Sequence, residues 1–247
     1  MLRIALRSRE LRASWWMALL TLAGVLLFVQ LGRWQLHRAA EKRVLQAAFD
    51  TGALQTVDLG GRSLAAVPRY QQLRVRGHYE SAHQFLLDNM TDGGRIGYQV
   101  LSPFRLEDNR LLLVNRGWLP LPEGSRRTLP DISMNSAEAD ELVGRVDELP
   151  VTGIAAGRAP PEPGPAWPKR TSFPDSTELA AALGQPIESR QILLDAQQPH
   201  GFVRHWKSAS AQFPPLRHIG YAVQWWGFAL LALVLFVSLN LKPRTLP

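Results

Sequence analysis

The sequence has no cysteine. That excludes structural disulfides, thiolate nucleophiles, thiolate metal sites and covalent haem attachment through C-x-x-C-H. Only four methionines are present, and they are dispersed, which argues against a copper carrier built on soft sulfur ligands. The chain also lacks a glycine-rich phosphate loop, a nucleophile–base constellation and an acidic pair placed for proton transfer. An enzyme is therefore not expected. Metal-ligand spacing is missing as well: His78 and His83 stand five apart, as do His200 and His205, and no H-x-x-x-H occurs.

Charge is absent from two long stretches. Residues 13–32 and 219–241 carry none over 20 and 23 positions. As helices these runs are about 30 and 34 Å long, enough to cross a hydrocarbon core. The expected order is a short tail (1–12), a first span (13–32), a domain (33–218), a second span (219–241) and a tail (242–247). Removing the spans leaves about 185 residues between them, enough for one domain with its own core.

The basic residues Arg3, Arg7, Arg9 and Arg12 before the first span resemble the start of a signal peptide. However, the apolar run is long and no small-x-small cleavage site follows Leu31, so an uncleaved anchor is expected. Two spans put both tails on one side. The tails contribute Arg3, Arg7, Arg9, Arg12, Lys242 and Arg244; the inner flanks contribute Arg33, Arg38, Lys42, Arg43, Lys207 and Arg217. Six against six leaves the side undecided by the distribution of positive charge. The net charge of +7 is scattered, with no basic helix or nucleic-acid motif. It points to a lipid membrane as partner and not to nucleic acid.

Residues 36–49 are good helix formers that extend the first span, and Gly52 ends them. A β-rich block follows. Residues 73–80 alternate with period two, 84–88 form a short strand, and Thr91-Asp92-Gly93-Gly94 has turn chemistry. Tyr98, Val100, Ser102 and Phe104 share one face of a third strand, and 110–119 is the most strand-like run. Residues 119–139 read as an irregular excursion, 141–149 as a strand and 159–168, with five prolines, as irregular. Asp175 and Glu178 open a short helix over 177–183, stopped by Gly184. Residues 189–195 and 202–206 read as further strands. The fold class is a membrane protein: two transmembrane helices flanking a mainly antiparallel β, barrel- or sandwich-like α+β extramembrane domain.

The two spans meet the domain at a rim. There the sequence places Arg33, Trp34 and Gln35 on one side and Arg217, His218, Tyr221 and Gln224 on the other. A helix hairpin would bring these two sets together. His218 is the last ionisable residue before 23 uncharged ones, on one helix face with Tyr221, Ala222 and Trp225. Two roles stay open for it: an interfacial histidine reaching toward water, or a neutral imidazole that ligates haem iron. In the second, Trp34, Tyr221 and Trp225 would pack a porphyrin and Arg33 or Arg217 would pair with its propionates. Gln35 and Gln224 read as polar residues bonding across the hairpin. Asn115-Arg116-Gly117-Trp118 reads as architecture, with a glycine bend, a buried Trp and an Arg bonded to nearby carbonyls; a docking surface is the alternative.

Four stretches together resemble the Surf1 family of cytochrome c oxidase biogenesis: GRWQLHR at 32–38; GHY at 77–79 with LLDN at 86–89, GYQV at 97–100 and PF at 103–104; VNRGWL at 114–119; and HIGYAVQW at 218–225. Arg217, Ile219 and Glu41 depart from the family pattern. The resemblance implies an inner-membrane assembly factor with cytoplasmic tails and a periplasmic domain, assisting haem a insertion into oxidase subunit I. It implies haem a as a transient, non-covalent cofactor, His218 as axial ligand of the iron, and subunit I and haem a synthase as partners. An alternative role for the same chain is a scaffold that stabilises subunit I without touching haem.

Overall fold

The computed structural model describes residues 2–6, 9–122, 128–134, 140–151, 157–211 and 213–243. Arg7, Arg244 and the stretches 123–127 and 135–139 of the expected excursion lie outside them, and of Arg3 only the backbone is described. In chain order the elements are β1 (Leu2–Leu6), β2 (Arg9–Ala13), α1 (Trp15–Thr51), β3 (Thr56–Asp58), a 3-10 turn (Leu64–Ala66), β4 (Gln72–Tyr79) and β5 (Phe85–Asp92). There follow β6 (Arg95–Leu106), β7 (Leu111–Pro120), β8 (Asp140–Asp147), β9 (Lys169–Thr171), α2 (Ser176–Leu183), β10 (Gln191–Leu194), α3 (Pro215–Asn240) and β11 (Leu241–Pro243). They form two compact units: Met1–Ala47 with Ser208–Pro247, and Ala48–Lys207.

The first unit is a helix hairpin. α1 has 37 residues, about 55 Å at 1.5 Å each, so it exceeds a hydrocarbon core of about 30 Å and continues beyond it. Only 6% of its most apolar window and 11% of that of α3 is buried. Neither is the core helix of a soluble domain: side chains such as Leu20 and Leu230 stay 68% and 63% exposed, which only lipid tolerates over such length. The chain is a membrane protein with two spans. Beyond the span, α1 carries surface ion pairs from Arg38 and His37 to Glu41, at 2.6 and 3.3 Å. Gln46 accepts hydrogen bonds from Ser208 Oγ (2.8 Å) and Ser210 Oγ (3.0 Å), both buried. These fasten the segment that leads into α3. A three-stranded antiparallel sheet, β1–β2–β11, joins the two chain ends, with Leu241 opposite Leu11. The sequence reading had no strand there, because β11 becomes a strand only beside a partner more than two hundred positions away.

The second unit is a β-barrel. β4 pairs with β8, β8 with β10, β10 with β7, β7 with β6, and β6 returns to β4, which closes the ring. Gly77 pairs with Asp140 of β8 and Leu106 of β6 at the point where β4 passes from one neighbour to the other. A Cβ there would collide with the Arg105 carbonyl, so the crossing needs glycine. β3 extends the sheet beside β4, and β5 and β9 extend it beyond β6. The barrel is filled by Leu73, Val75, Tyr79, Phe104, Leu112 and Val146. β7 is buried on both faces: Leu112 and Val114 point into the barrel, while Leu113 joins a second cluster with Phe85, Trp118 and Leu179. Leu179 sits on α2, whose start is a capping box between Asp175 and Glu178 and whose stop is left-handed Gly184.

The mainly antiparallel reading is borne out, with three exceptions: β10–β7, β3–β4 and β5–β9 are parallel. Residues 202–206 are not a strand. Val203 makes one bridge to Trp118, and then Arg204 folds back to donate to the carbonyls of Asp195 (2.6 Å) and Gln198 (2.8 Å). Those bonds tie Arg204 to the turn that follows β10, a partner that alternation alone does not reveal. β3 and β9, three residues each, are too short to show periodicity.

Candidate functional site

α3 begins at Pro215, where a missing N–H costs nothing and φ is already helical. His218 follows in the first turn and Gln35 faces it from α1. His218 Nδ1 lies 2.7 Å from Gln35 Oε1. The ring's other nitrogen, Nε2, is buried and has no hydrogen-bond partner among the described residues. A half-buried imidazole whose idle nitrogen is itself buried is uncommon, because a buried unmet polar atom costs about 1–3 kcal/mol.

Below this pair the two helices approach closely. Gly32, one turn before Gln35 on α1, is covered by the Trp226 indole, and a Cβ at 32 would collide with it. Small residues permit such contact between spans. Ala222 and Ala229 are buried on the α3 side. Deeper, Phe28 stacks on Trp225 at 5.8 Å and 22°, and Phe228 meets both rings at 5.9 and 5.8 Å.

The expected site residues divide. His218 and Gln35 are brought together, as the hairpin reading required. Trp225 lies on the inner side of α3, but its ring is engaged by Phe28 and Phe228. Trp34 and Tyr221 are exposed at 54% and 51% and lie open to a flat apolar ligand or to lipid. Arg33 and Arg217 are exposed, and neither guanidinium has an ion-pair partner among the described residues. Gln224 is exposed, and among the described residues it makes no hydrogen bond across the hairpin. Phe28 and Gly32 were missed, and Trp226, which the sequence offers as an aromatic-belt residue beside Tyr221 and Trp225, packs on Gly32 instead; a glycine within a span was the one available signal.

No group of three His, Asp or Glu side chains that could hold a metal ion occurs among the described residues. His83 is packed edge-on against Trp167 at 4.9 Å, and His205 contacts Asp92 at 3.1 Å. A groove of about 460 Å³ in the barrel unit is lined by Asp58, Arg74, Arg76, Glu107 and Asp108. Both of its arginines pair with Glu141, at 3.0 and 3.4 Å. Asp108 is held below the usual carboxylate range by hydrogen bonding with Arg110.

The NRGW run is architecture. Arg116 is 2% exposed. Its Nε donates to the His200 carbonyl (2.7 Å), and Nη1 donates to Gln84 Oε1 (2.7 Å) and the Ile132 carbonyl (3.2 Å). Burial pushes its pKa down to about 10, so it remains charged at neutral pH. Asn115 Nδ2 donates to Gln99 and Gln191, both at 3.0 Å. Gly117 has φ +115°, and a Cβ there would stand 2.7 Å from the Val203 carbonyl. Trp118 is buried and donates to the Met90 carbonyl at 3.0 Å.

A family model described as the SURF1 family matches residues 22–230. The chain belongs to the SURF1 family. The match runs from the middle of the first span, through the barrel, to the middle of the second, and so takes in Gln35 and His218. A SURF1-like protein of Dictyostelium discoideum is 31% identical over 111 residues, covering 40% of this chain and 41% of that protein. One of Rickettsia bellii (strain RML369-C) is 27% identical over 96 residues, covering 38% and 39%. The matches thus span about two-fifths of those relatives' length.

Proposed function

We propose that this SURF1-family chain is an assembly factor for cytochrome c oxidase that holds haem a as cargo at His218 and hands it to subunit I. The observation that carries the reading is His218 Nε2, buried and unpartnered while Nδ1 is held by Gln35. An ion that needs several protein ligands finds no cluster among the described residues. An iron that brings four porphyrin nitrogens needs only an axial imidazole, and Nε2 is a free donor of that kind. Trp34 and Tyr221 would offer aromatic surface, and Arg33 and Arg217 would offer charge to propionates. Bound haem a would supply the metal centre that the oxidase needs; this chain's residues bind, orient and release it. The reading is a carrier and not an enzyme, with haem a synthase as donor.

The same reading places the chain in the inner membrane, with the barrel periplasmic and both ends of the hairpin cytoplasmic. A reporter that is active only in the periplasm, fused after Pro247, should be silent; activity would reverse the orientation.

The scaffold role draws on one observation: the His218–Gln35 bond ties the two helices whether or not iron is bound. Co-expression with haem a biosynthesis, purification and pigment analysis separate the two. The native chain should carry haem a with a Soret band. His218→Ala and His218→Gln should insert normally, because the apolar run is untouched, and lose the pigment. A Gln variant that keeps the full Soret absorbance per protein overturns the ligand and leaves the scaffold.

A further inference from the structure

We propose that Gln35 is a positioning residue for His218, with two effects: it fixes the Nδ1–H tautomer, and its neutral amide keeps the imidazole a weak donor that can let go. The first effect stands on the geometry alone; the second rests on the carrier reading above.

A neutral imidazole has one N–H and one lone pair. Gln35 Oε1, an acceptor, lies 2.7 Å from Nδ1. With the proton on Nδ1, the ring donates to that oxygen. With the proton on Nε2, two lone pairs would face each other across 2.7 Å, and a buried N–H would have no acceptor among the described residues. The arrangement therefore selects Nδ1–H and turns Nε2 into the only unprotonated nitrogen of the ring. Metal-ligating histidines are fixed in this way by a partner on the opposite nitrogen.

The partner's chemistry has a second consequence. A carboxylate would draw the Nδ1 proton strongly and raise the basicity of Nε2. A carboxamide oxygen is uncharged and draws it weakly. No acidic residue lies in the first turn of α3 to replace it, and the ion pairs from Glu41, two turns further along α1, go to His37 and Arg38. Such a histidine would be suited to holding iron and then losing it to a stronger site.

The test uses the full-length chain in detergent with ¹⁵N-labelled histidine. In the haem-free protein the His218 ring should show a protonated Nδ1 and an unprotonated Nε2. Gln35→Glu, an acceptor only, should keep that pattern; Gln35→Leu should lose it and move the proton toward Nε2. A protonated Nε2 in the native chain, or an unchanged pattern in Gln35→Leu, overturns the tautomer assignment. A protonated Nε2 in the native chain would mean that the amide NH₂, not the oxygen, faces Nδ1; loss of the pattern in Gln35→Glu, whose carboxylate can only accept, would show that an acceptor at this position does not set the tautomer, and overturns it equally. The second readout is the rate at which bound hemin passes to excess apomyoglobin. Gln35→Glu should slow that transfer by about 10–100-fold, and Gln35→Leu should speed it, the range by which such partners change metal affinity. Equal rates in native and Gln35→Glu protein overturn the release effect. If the tautomer series holds while no form binds hemin, the haem reading and the release effect fall together and the tautomer assignment stands.

Discussion

The Trp226 indole occupies the space where a Cβ of residue 32 would stand, so the two spans pack against each other at Gly32 and Trp226. Gly24, on the same helix, has nothing within 4 Å of its own Cβ position. Gly32→Val should therefore part the helices and Gly24→Val should not. The absence of native cysteine makes the check clean. Cysteines replacing Phe28 and Trp225, whose rings lie 5.8 Å apart, should join with a short thiol-reactive linker. The joined fraction should drop severalfold with Gly32→Val and hold with Gly24→Val.

Trp118 and Gly117 should act through stability. Trp118 is 3% exposed and lies in the cluster with Phe85, Leu101 and Leu179. Trp118→Ala should cost about 3–5 kcal/mol, as other buried aromatic truncations do. Gly117→Val meets both an unfavourable φ of +115° and the Val203 carbonyl. Thermal melts of the purified chain and its abundance in membranes should both fall. Normal abundance with lost oxidase assembly would reassign this strand end to partner docking.

The same residues show what a sequence displays. β4 and β7 were legible because one or both faces are buried and their residues follow that pattern. α2 was legible because its start and stop are local chemistry, Asp175 with Glu178 and then Gly184. The rim pair was legible because charge ends at His218. What stayed hidden depends on partners distant in sequence. The parallel contact of Ile192 with Val114 leaves no mark on either strand. Which face of α3 meets α1 was hidden for another reason: a span apolar all round has no amphipathic phase to read. Hence Tyr221, expected beside His218, is exposed, while Trp226, read as a belt residue at the interface, packs on Gly32.

Asp147 and Arg69 should give the barrel a pH signature. Burial raises the Asp147 pKa, and Arg69, with Nε 2.6 Å away, opposes that rise. A carboxyl whose folded pKa exceeds its unfolded value of 3.8 binds more protons when folded. Its ionised form thus lowers stability as pH climbs through that raised range. Arg69→Gln removes the compensation and leaves a buried charge, a loss of about 3–5 kcal/mol at neutral pH for breaking such a pair. As pH falls and Asp147 protonates, the penalty should shrink. Melting temperatures of both forms between neutral pH and pH 4 should converge; a constant gap would mean that Asp147 keeps its charge throughout.

Arg116 gives the sharpest contrast between charge and shape. Its acceptors are all neutral: the carbonyls of His200 and Ile132, the side-chain oxygen of Gln84 and the Ser102 hydroxyl. Its guanidinium also lies 4.8 Å from the Phe202 ring centroid. The strand end, the loop at 132 and the turn at 200 are thus tied by one planar fork. Lysine keeps the positive charge but has a single nitrogen, which cannot reach these acceptors in separate directions or lie flat on a ring. If charge were the point, Arg116→Lys would be nearly silent. If the fork is the point, Arg116→Lys and Arg116→Met should both leave buried acceptors unmet, at about 1–3 kcal/mol each. The lysine should then be no better than methionine, since it also brings a buried charge with fewer partners. Urea unfolding of the two variants and the native chain decides between these cases. A lysine form within about 1 kcal/mol of native would mean that charge holds this corner of the barrel, because one neutral hydrogen bond is worth about that much.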